Sequence, residues 1–383
     1  MASELITGIG ELTTLADGEE RRRDAALVID GDRIAWIGAA ASAPAADRRF
    51  DAAGGAVLPG WVDSHSHLVF AGDRSAEFEE RMAGRAYSAG GIGATVTATR
   101  AASDDDLRAN LRRLRAEAQR QGTTFLETKT GYGLDVETER RSAELAAEVA
   151  DVVTFLGAHV VPAGIDPRAY VDLVTGPMLE AVRPWVRFID VFCETGAFDV
   201  DQSREVLAAG RAAGLGLRVH GNQLGESGGV ALAIELGAAS VDHCNHLSLA
   251  DIDALAGSDT VATLLPATDL STREAFPPAR ELIDAGATVA LASNCNPGSS
   301  YTTSMPFCVA TAVLQLRLTL DEALRAATRG GARALRLSDD TGTLVVGGPA
   351  DLQLLDAPSV SHLAYRPGVP LTRAVWRKGA RVV

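Results

Sequence analysis

Short apolar runs recur along the middle of the chain, and each run ends in polar or chemically reactive residues. Most runs are separated by segments such as 104–122 and 201–216, whose apolar residues recur every three or four positions above a charged face. Short apolar runs are typical of buried strands. The three- and four-residue spacing of apolar residues in the segments between the runs is typical of amphipathic helices. The runs occupy residues 61–67, 123–133, 152–159, 188–194, 215–223, 239–246, 260–269 and 288–296. Eight such alternations predict an α/β fold, a (β/α)8 TIM barrel with right-handed crossovers.

The two ends of the chain follow a different pattern. Residues 1–57 contain short β-rich runs, and Gly31 with Asp32 separates two of them in a way that predicts a hairpin. Residues 343–383 again contain strand-like runs with tight glycine turns. We therefore expect both ends to form one small β-sandwich domain beside a barrel domain of residues 58–342.

Composition and charge narrow the class of protein. The chain has 383 residues, of which 46% are apolar and 22% are charged, as in a folded protein with a large core. No run approaches the roughly 20 apolar residues of a membrane span, and no basic segment precedes an apolar one at the start, so we expect a cytoplasmic protein without membrane association. The net charge of −14 disfavours a nucleic-acid partner, because such binders need a basic face.

The four cysteines give no sign of disulfide or metal chemistry. They are Cys193, Cys244, Cys295 and Cys308, and no two of them have the spacing of a Cys-x-x-Cys motif. We expect small buried thiols.

Histidines occupy the ends of several predicted strands. His65 and His67 follow the first strand at alternate positions, so an extended chain points both imidazoles to one side, although such pairs also occur by chance. In a barrel of this kind the carboxyl ends of the strands form the active site. Five of the seven histidines fall at strand ends, namely His65, His67, His159, His220 and His243. Together they indicate a site for zinc or a related divalent ion.

The motifs resemble those of the amidohydrolase superfamily and, within it, the imidazolonepropionase family of histidine degradation. The similar segments are residues 59–74, 127–134, 154–162, 190–198, 220–243, 264–269, 277–280 and 296–299, which span the whole barrel. The resemblance implies a hydrolase that opens the ring of 4-imidazolone-5-propanoate to give N-formimino-L-glutamate. It also implies one bound divalent ion and a homodimer. Zinc is the expected ion, and iron is the alternative because imidazole nitrogen suits both.

The resemblance also assigns roles to individual residues. His65, His67 and His220 should hold the ion, with His243 beside it as a proton-handling or substrate-polarising group. Arg74 should bind the carboxylate tail of the substrate. The other substrate contacts implied are Tyr87, Tyr132, His159 and Gln223.

Two of these assignments have structural alternatives. Arg74 could instead pair with Asp73 or Glu77 on the surface, and Tyr132 could simply cap a glycine turn.

Asn294 departs from the family pattern, which has an aspartate after the eighth strand as metal ligand and proton carrier. An asparagine oxygen can be a neutral ligand, but the amide cannot accept a proton at neutral pH. We therefore expect weaker metal binding and slower catalysis, with His243 as the nearest replacement base. Three explanations stay open: an introduced substitution, a natural variant that uses His243, and a member that no longer hydrolyses. Asp269 could compensate, but no spacing supports that role.

Lys129 stands out because the only other lysine is Lys378. Superfamily members that bridge two metals use a lysine after the fourth strand, whereas Lys129 follows the second, so we expect a mononuclear site. The structural interpretation is that Lys129 pairs with Glu127 or a neighbouring carboxylate.

Three other functions remain possible from the sequence. They are hydrolysis of another cyclic amide or a heterocyclic amine, a catalytically silent ligand-binding protein, and a structural barrel without metal.

Overall fold

Eight parallel strands form the centre of the computed structural model, which describes residues 2–18, 21–84 and 91–383. Their hydrogen-bonded order follows the order of the chain. The strands are β7 Trp61–Asp63, β8 Thr123–Lys129, β9 Val152–Ala158, β10 Phe188–Cys193, β11 Gly216–Gly221, β12 Ser240–His243, β13 Val261–Leu264 and β14 Val289–Leu291. Each pairs in parallel with the next, as the sequence pattern predicts.

The first and last of these strands meet at their carboxyl ends. The backbone N–H of Asn294 donates to the carbonyl oxygen of His65 (2.9 Å), and the N–H of His67 donates to that of Cys295 (2.9 Å). The buried carboxylate of Asp63 accepts hydrogen bonds from the backbone N–H (3.0 Å) and the hydroxyl (2.6 Å) of Ser293. These bonds close the sheet into a barrel and place the residues after β7 beside those after β14.

Helices surround the barrel, and several begin at polar caps that the sequence supplies. Ser103 caps a helix predicted from its period, whose buried face includes Leu107 and Leu111. The helices are α1 Ser75–Met82, α2 Ile92–Ala101, α3 Asp104–Arg120, α4 Val136–Ala147, α5 Pro167–Leu173, α6 Leu179–Val182, α7 Val200–Ala212, α8 Gly229–Glu235, α9 Leu249–Ala256, α10 Pro266–Thr272, α11 Ala279–Ala285, α12 Met305–Leu314, α13 Leu320–Arg325, α14 Gly331–Ala334 and α15 His362–Tyr365. π-Helical turns at Val174–Met178 and Ala326–Gly330 connect α5 to α6 and α13 to α14.

Strands from both chain ends form two further sheets. Their strands are β1 Glu4–Ile9, β2 Glu11–Leu12, β3 Ala25–Asp30, β4 Arg33–Ala39, β5 Arg48–Asp51, β6 Ala56–Pro59, β15 Leu352–Leu355, β16 Thr372–Arg377 and β17 Ala380–Arg381. One sheet has the order β4-β3-β1-β5 and the other the order β17-β16-β15-β6-β2. A separate apolar cluster joins the two sheets and includes Ile6, Leu27, Leu352 and Trp376.

The predicted fold class is confirmed, because a (β/α)8 barrel carries additional sheets built from both ends. The domain boundaries at 57/58 and 342/343 stay predictions. All four cysteines are buried and free. Within the described ranges, no helix is both long and apolar enough to cross a membrane.

Candidate metal centre

His65 and His67 lie in the segment that follows β7, at the carboxyl end of the barrel. Both side chains are buried, and their Nε2 atoms are 3.2 Å apart. Two imidazole nitrogens this close face one point, so the structure brings the predicted pair together.

Histidines from β11 and β12 complete the cluster. The ring centroid of His220 lies 4.5 Å from that of His65 and 5.4 Å from that of His243. One nitrogen each of His65, His220 and His243 lies within 4.8 Å of the others. His159 stacks on His67 with a centroid distance of 5.6 Å. The five histidines singled out from the sequence therefore form one group.

Two buried aspartates orient the histidines. The Nδ1 atom of His65 donates to Oδ2 of Asp242 (2.6 Å), and Nδ1 of His220 donates to Oδ1 of Asp190 (3.0 Å). Each bond fixes the proton on Nδ1 and leaves Nε2 with a free lone pair, as in metal sites where a carboxylate supports a histidine ligand. The Nε2 atom of His220 is buried and has no hydrogen-bond partner among the described residues.

The electrostatics favour neutral imidazoles. Burial lowers the pKa of His65 and of His67 well below the ordinary value for histidine. Burial also lowers the pKa of His159 to about 4 and that of His243 to about 3. Neutral imidazole is the form that binds a metal. This donor set therefore fits a divalent ion.

The backbone is strained where the site is built. His243 has φ 86° and the next residue, Cys244, has φ 59°, while Asn294 has φ 52°. Left-handed φ is uncommon outside glycine and tends to occur where function requires a fixed side-chain direction. Here it lies at the carboxyl ends of two barrel strands.

Asn294 presents an amide oxygen without a partner. Its Nδ2 donates to the hydroxyls of Thr268 (2.7 Å) and Ser299 (3.1 Å). Its Oδ1 is buried and has no hydrogen-bond partner within the described part of the chain. The side chain can therefore offer a neutral oxygen to an ion, but it contributes no charge and accepts no proton.

Arg74 lies at the rim of the barrel mouth in an ion pair. Its Nε and Nη2 atoms donate to the two oxygens of Glu77 at 2.7 Å each, which is one of the alternatives raised from the sequence. The Arg74 side chain is only 6% exposed, yet it lines a cavity of about 250 Å³ together with Ser299 and Tyr301. A Cβ on Gly298 would lie 2.4 Å from Nη1, so the guanidinium packs directly against the loop that follows Asn294.

The other predicted substrate contacts are distributed around the histidines. Tyr132 is buried, with its ring centroid 5.4 Å from that of His159. His159 donates from Nδ1 to the carbonyl oxygen of Gly131 (3.0 Å). Gln223 is buried, and its backbone N–H donates to Oε2 of Glu194 (2.9 Å). Tyr87 lies outside the described residues.

Lys129 is fully buried beneath the histidines, and its predicted pairing with Glu127 is confirmed. Its Nζ atom lies 2.9 Å from Oε1 of Glu127 and also 2.9 Å from Oδ2 of Asp190. Although burial opposes ionisation, the neighbouring His220 and Lys129 hold the pKa of Asp190 below its usual value. Lysine, carboxylates and histidines thus form one continuous network.

The sequence reasoning missed Asp190 and Asp242, which hold the two histidines, and also missed Thr268 and Ser299. One signal was present for the aspartates. Each lies inside an apolar strand, where a buried carboxylate requires a partner.

A family model described as the amidohydrolase family matches residues 56–382. With the barrel and its histidine cluster, this match defines the class of protein: the chain belongs to the amidohydrolase family.

Similar sequences specify the branch. The imidazolonepropionase of Saccharopolyspora erythraea is 69% identical over 385 residues, covering 100% of this chain and 99% of that protein. Those of Paenarthrobacter aurescens and Micrococcus luteus are 63% and 61% identical, each covering 100% of this chain and 98% and 100% of the relative. The chain is therefore a member of the imidazolonepropionase branch of the family.

Solved structures of lower identity share the fold. A triazine hydrolase variant has a TM-score of 0.77 at 22% identity, covering 100% of this chain and 94% of that one. A variant of the atrazine chlorohydrolase of Arthrobacter aurescens, complexed with zinc and atraton, has a TM-score of 0.74 at 21% identity, covering 99% and 95%. At these identities the likeness shows the fold alone.

Proposed function

We propose that this protein is a metal-dependent hydrolase that opens the ring of 4-imidazolone-5-propanoate to give N-formimino-L-glutamate in histidine degradation. The observation that carries the proposal is the convergence of His65, His67 and His220, each neutral or held by a carboxylate, at the mouth of the barrel. The high identity to imidazolonepropionases supports the choice of substrate.

One divalent ion is proposed, held by His65, His67, His220 and the Oδ1 atom of Asn294. The imidazole nitrogens suit zinc best and accommodate iron. When bound, such an ion would act as a Lewis acid on a carbonyl and make water nucleophilic near neutral pH. The single negative ligand of the family pattern is replaced by a neutral one, so we expect weaker binding of the ion.

The remaining roles belong to side chains around the histidines. Arg74 would bind the propanoate tail, because its guanidinium can hold a carboxylate. Tyr132, His159 and Gln223 would contact the ring, as would Tyr87.

Proton transfer would rest on His243. Water adds to the ring carbonyl carbon, the C–N bond breaks, and the leaving nitrogen gains a proton as the new carboxylate forms. The Nδ1 atom of His243 is buried and without a hydrogen-bond partner among the described residues, so it could take the proton that the attacking water loses and pass it to the leaving nitrogen. Asn294 cannot.

The test is turnover of imidazolonepropanoate by the zinc-supplied protein, alongside imidazolone without the propanoate arm. We expect N-formimino-L-glutamate from the first and far slower reaction of the second. No turnover of either compound would reject the proposed activity, and equal turnover would reject the tail contact. Asn294 favours one other function, a ligand-binding protein without catalysis, which would retain intact substrate over hours.

A homodimer in the cytoplasm is also proposed. Light scattering of the purified protein tests the homodimer. We expect a mass of twice the 39.9 kDa of one chain.

A further inference from the structure

Three carboxylates meet in the barrel interior beneath the histidines. They belong to Glu127 on β8, Asp190 on β10 and Asp242 on β12, and all three side chains are fully buried. We call this group the carboxylate cage. The ammonium of Lys129 lies inside it, with Nζ 2.9 Å from Glu127, 2.9 Å from Asp190 and 3.7 Å from Asp242.

The cage has the chemistry of a cation site. Carboxylate oxygens are the ligands that hard cations such as Mg²⁺ prefer. Two of the cage carboxylates, those of Asp190 and Asp242, have oxygens within 4.8 Å of each other. An ammonium has three donors and no acceptor. Here it donates a hydrogen bond to Oε1 of Glu127 and lies within ion-pair distance of Asp190 and Asp242.

Charge explains why a cation is needed there. Three buried carboxylates without counter-charge would be costly, and Arg218 supplies only one positive charge, at 3.0 Å from Asp242. Asp190 is shared between the histidine cluster and the carboxylate cage, since its Oδ1 accepts a hydrogen bond from His220 while its Oδ2 faces Lys129. The same carboxylate therefore supports a histidine on one side and the ammonium on the other.

We propose that the Lys129 ammonium is the built-in cation of the carboxylate cage and takes the place of a second metal ion. The protein then loads one ion at the histidines and none at the cage. The number of ions at the histidines rests on the proposed function. The occupation of the carboxylate cage by Lys129 does not depend on that function.

Two substitutions of different size test the proposal in the full-length, zinc-supplied protein. Lys129→Ala removes the charge and leaves space for an ion, whereas Lys129→Met removes the charge and fills the space. Both should lower the midpoint of thermal unfolding by roughly 5–10 °C, because each leaves buried carboxylates unpaired. Millimolar Mg²⁺ should restore most of that loss in Lys129→Ala only. Neither the parent protein nor the control Lys378→Ala should respond.

Metal analysis gives a second readout that does not depend on activity. Zinc should stay at about one per chain in every variant, and Mg²⁺ should bind at about one per chain in Lys129→Ala alone. Unchanged stability in both Lys129 variants would overturn the proposal, as would an equal lack of response to Mg²⁺. Absence of zinc from the parent protein would count against the proposed function, while the Mg²⁺ comparison would still decide the cage.

Charge-balanced variants decide the case if the single variants do not fold. Lys129→Arg keeps the positive charge, and the double variant Lys129→Met with Glu127→Gln removes one charge of each sign. The proposal is supported if Lys129→Arg and the double variant yield folded protein while Lys129→Met does not. If none of the three variants folds, the proposal is overturned, because the shape of the side chain at position 129 rather than its charge would then be what folding requires.

Discussion

At the scale of single residues, Asn294 stands where the resemblance to the family implies an aspartate. Its amide nitrogen is held by two hydroxyls, and hydroxyl groups can either accept or donate. An aspartate at this position would therefore find the same partners with their roles reversed. The local structure suits both residues, and only the charge and the ability to carry a proton distinguish them.

Asn294→Asp should increase both metal affinity and turnover. The carboxylate adds a negative ligand and a general base, and a positioned base contributes on the order of 10²–10⁴ in rate. We expect kcat for imidazolonepropanoate to rise by about tenfold or more, with KM little changed because Arg74 still binds the tail. Zinc affinity, measured by competition with a chelator, should rise as well. Equal kcat in the two proteins would show that His243 already supplies all the base catalysis.

Glu77 should control how Arg74 presents its guanidinium. Glu77→Ala removes two charge-assisted hydrogen bonds that fix the fork. We expect KM for imidazolonepropanoate to rise by about tenfold, with kcat nearly unchanged. Glu79→Ala, on the exposed face of the same helix, is the matched control. A lower KM in Glu77→Ala would mean that Glu77 competes with the substrate tail.

The site residues that could be predicted from the sequence are the histidines at the ends of the predicted strands. His65, His67, His220 and His243 were predicted because barrel topology brings strand ends together. Asp190 was not, because its role depends on which histidine faces it across neighbouring strands. That pairing is fixed by the sheet register, which a single sequence does not display.

At the scale of elements, the junction between the first and last strands positions the site. Asp63 ends β7 and accepts two hydrogen bonds from Ser293, which follows β14. The proposed ligands His65 and Asn294 lie on either side of this junction. Eight strands could be predicted from apolar runs, but the hydrogen bonds between Ser293 and Asp63 at the closure of the barrel join residues 230 positions apart in the chain.

Ser293→Ala should weaken the barrel closure. It removes the hydroxyl's hydrogen bond to the buried Asp63 carboxylate and the one that the hydroxyl accepts from the N–H of Cys295, for an expected loss of about 1.5–3 kcal/mol in the free energy of unfolding. Urea denaturation measures the change. Ser240→Ala is the control, because the Ser240 hydroxyl is buried in the same barrel without a hydrogen-bond partner in the described structure, so its removal should cost little. Equal losses in both variants would contradict this role for Ser293.

At the scale of the whole molecule, buried carboxylates link stability to pH. Burial raises the pKa of Asp269 to about 8, whereas an unfolded chain has the ordinary value near 4. The folded protein then holds a proton that the unfolded chain releases. The stability contributed by that proton is complete at low pH and is lost as pH rises from about 4 to about 8.

Asp269→Asn should flatten this dependence. The amide keeps the bond from Asn245 to the side-chain oxygen, and it never ionises. We expect the variant to gain stability relative to the parent as pH rises from 5 to 8.5, as measured by thermal unfolding across that range. The exposed Asp253→Asn should follow the parent at every pH. Parallel profiles for the parent and Asp269→Asn would contradict the raised pKa.

Catalysis by the proposed function depends on a divalent ion at the histidines. The most direct measurement is the rate of N-formimino-L-glutamate formation from imidazolonepropanoate by one preparation before metal removal, after chelation, and after zinc is returned. We predict that turnover is lost when the metal is removed and recovers at about one zinc per chain. Turnover that persists undiminished in the metal-free protein would contradict it.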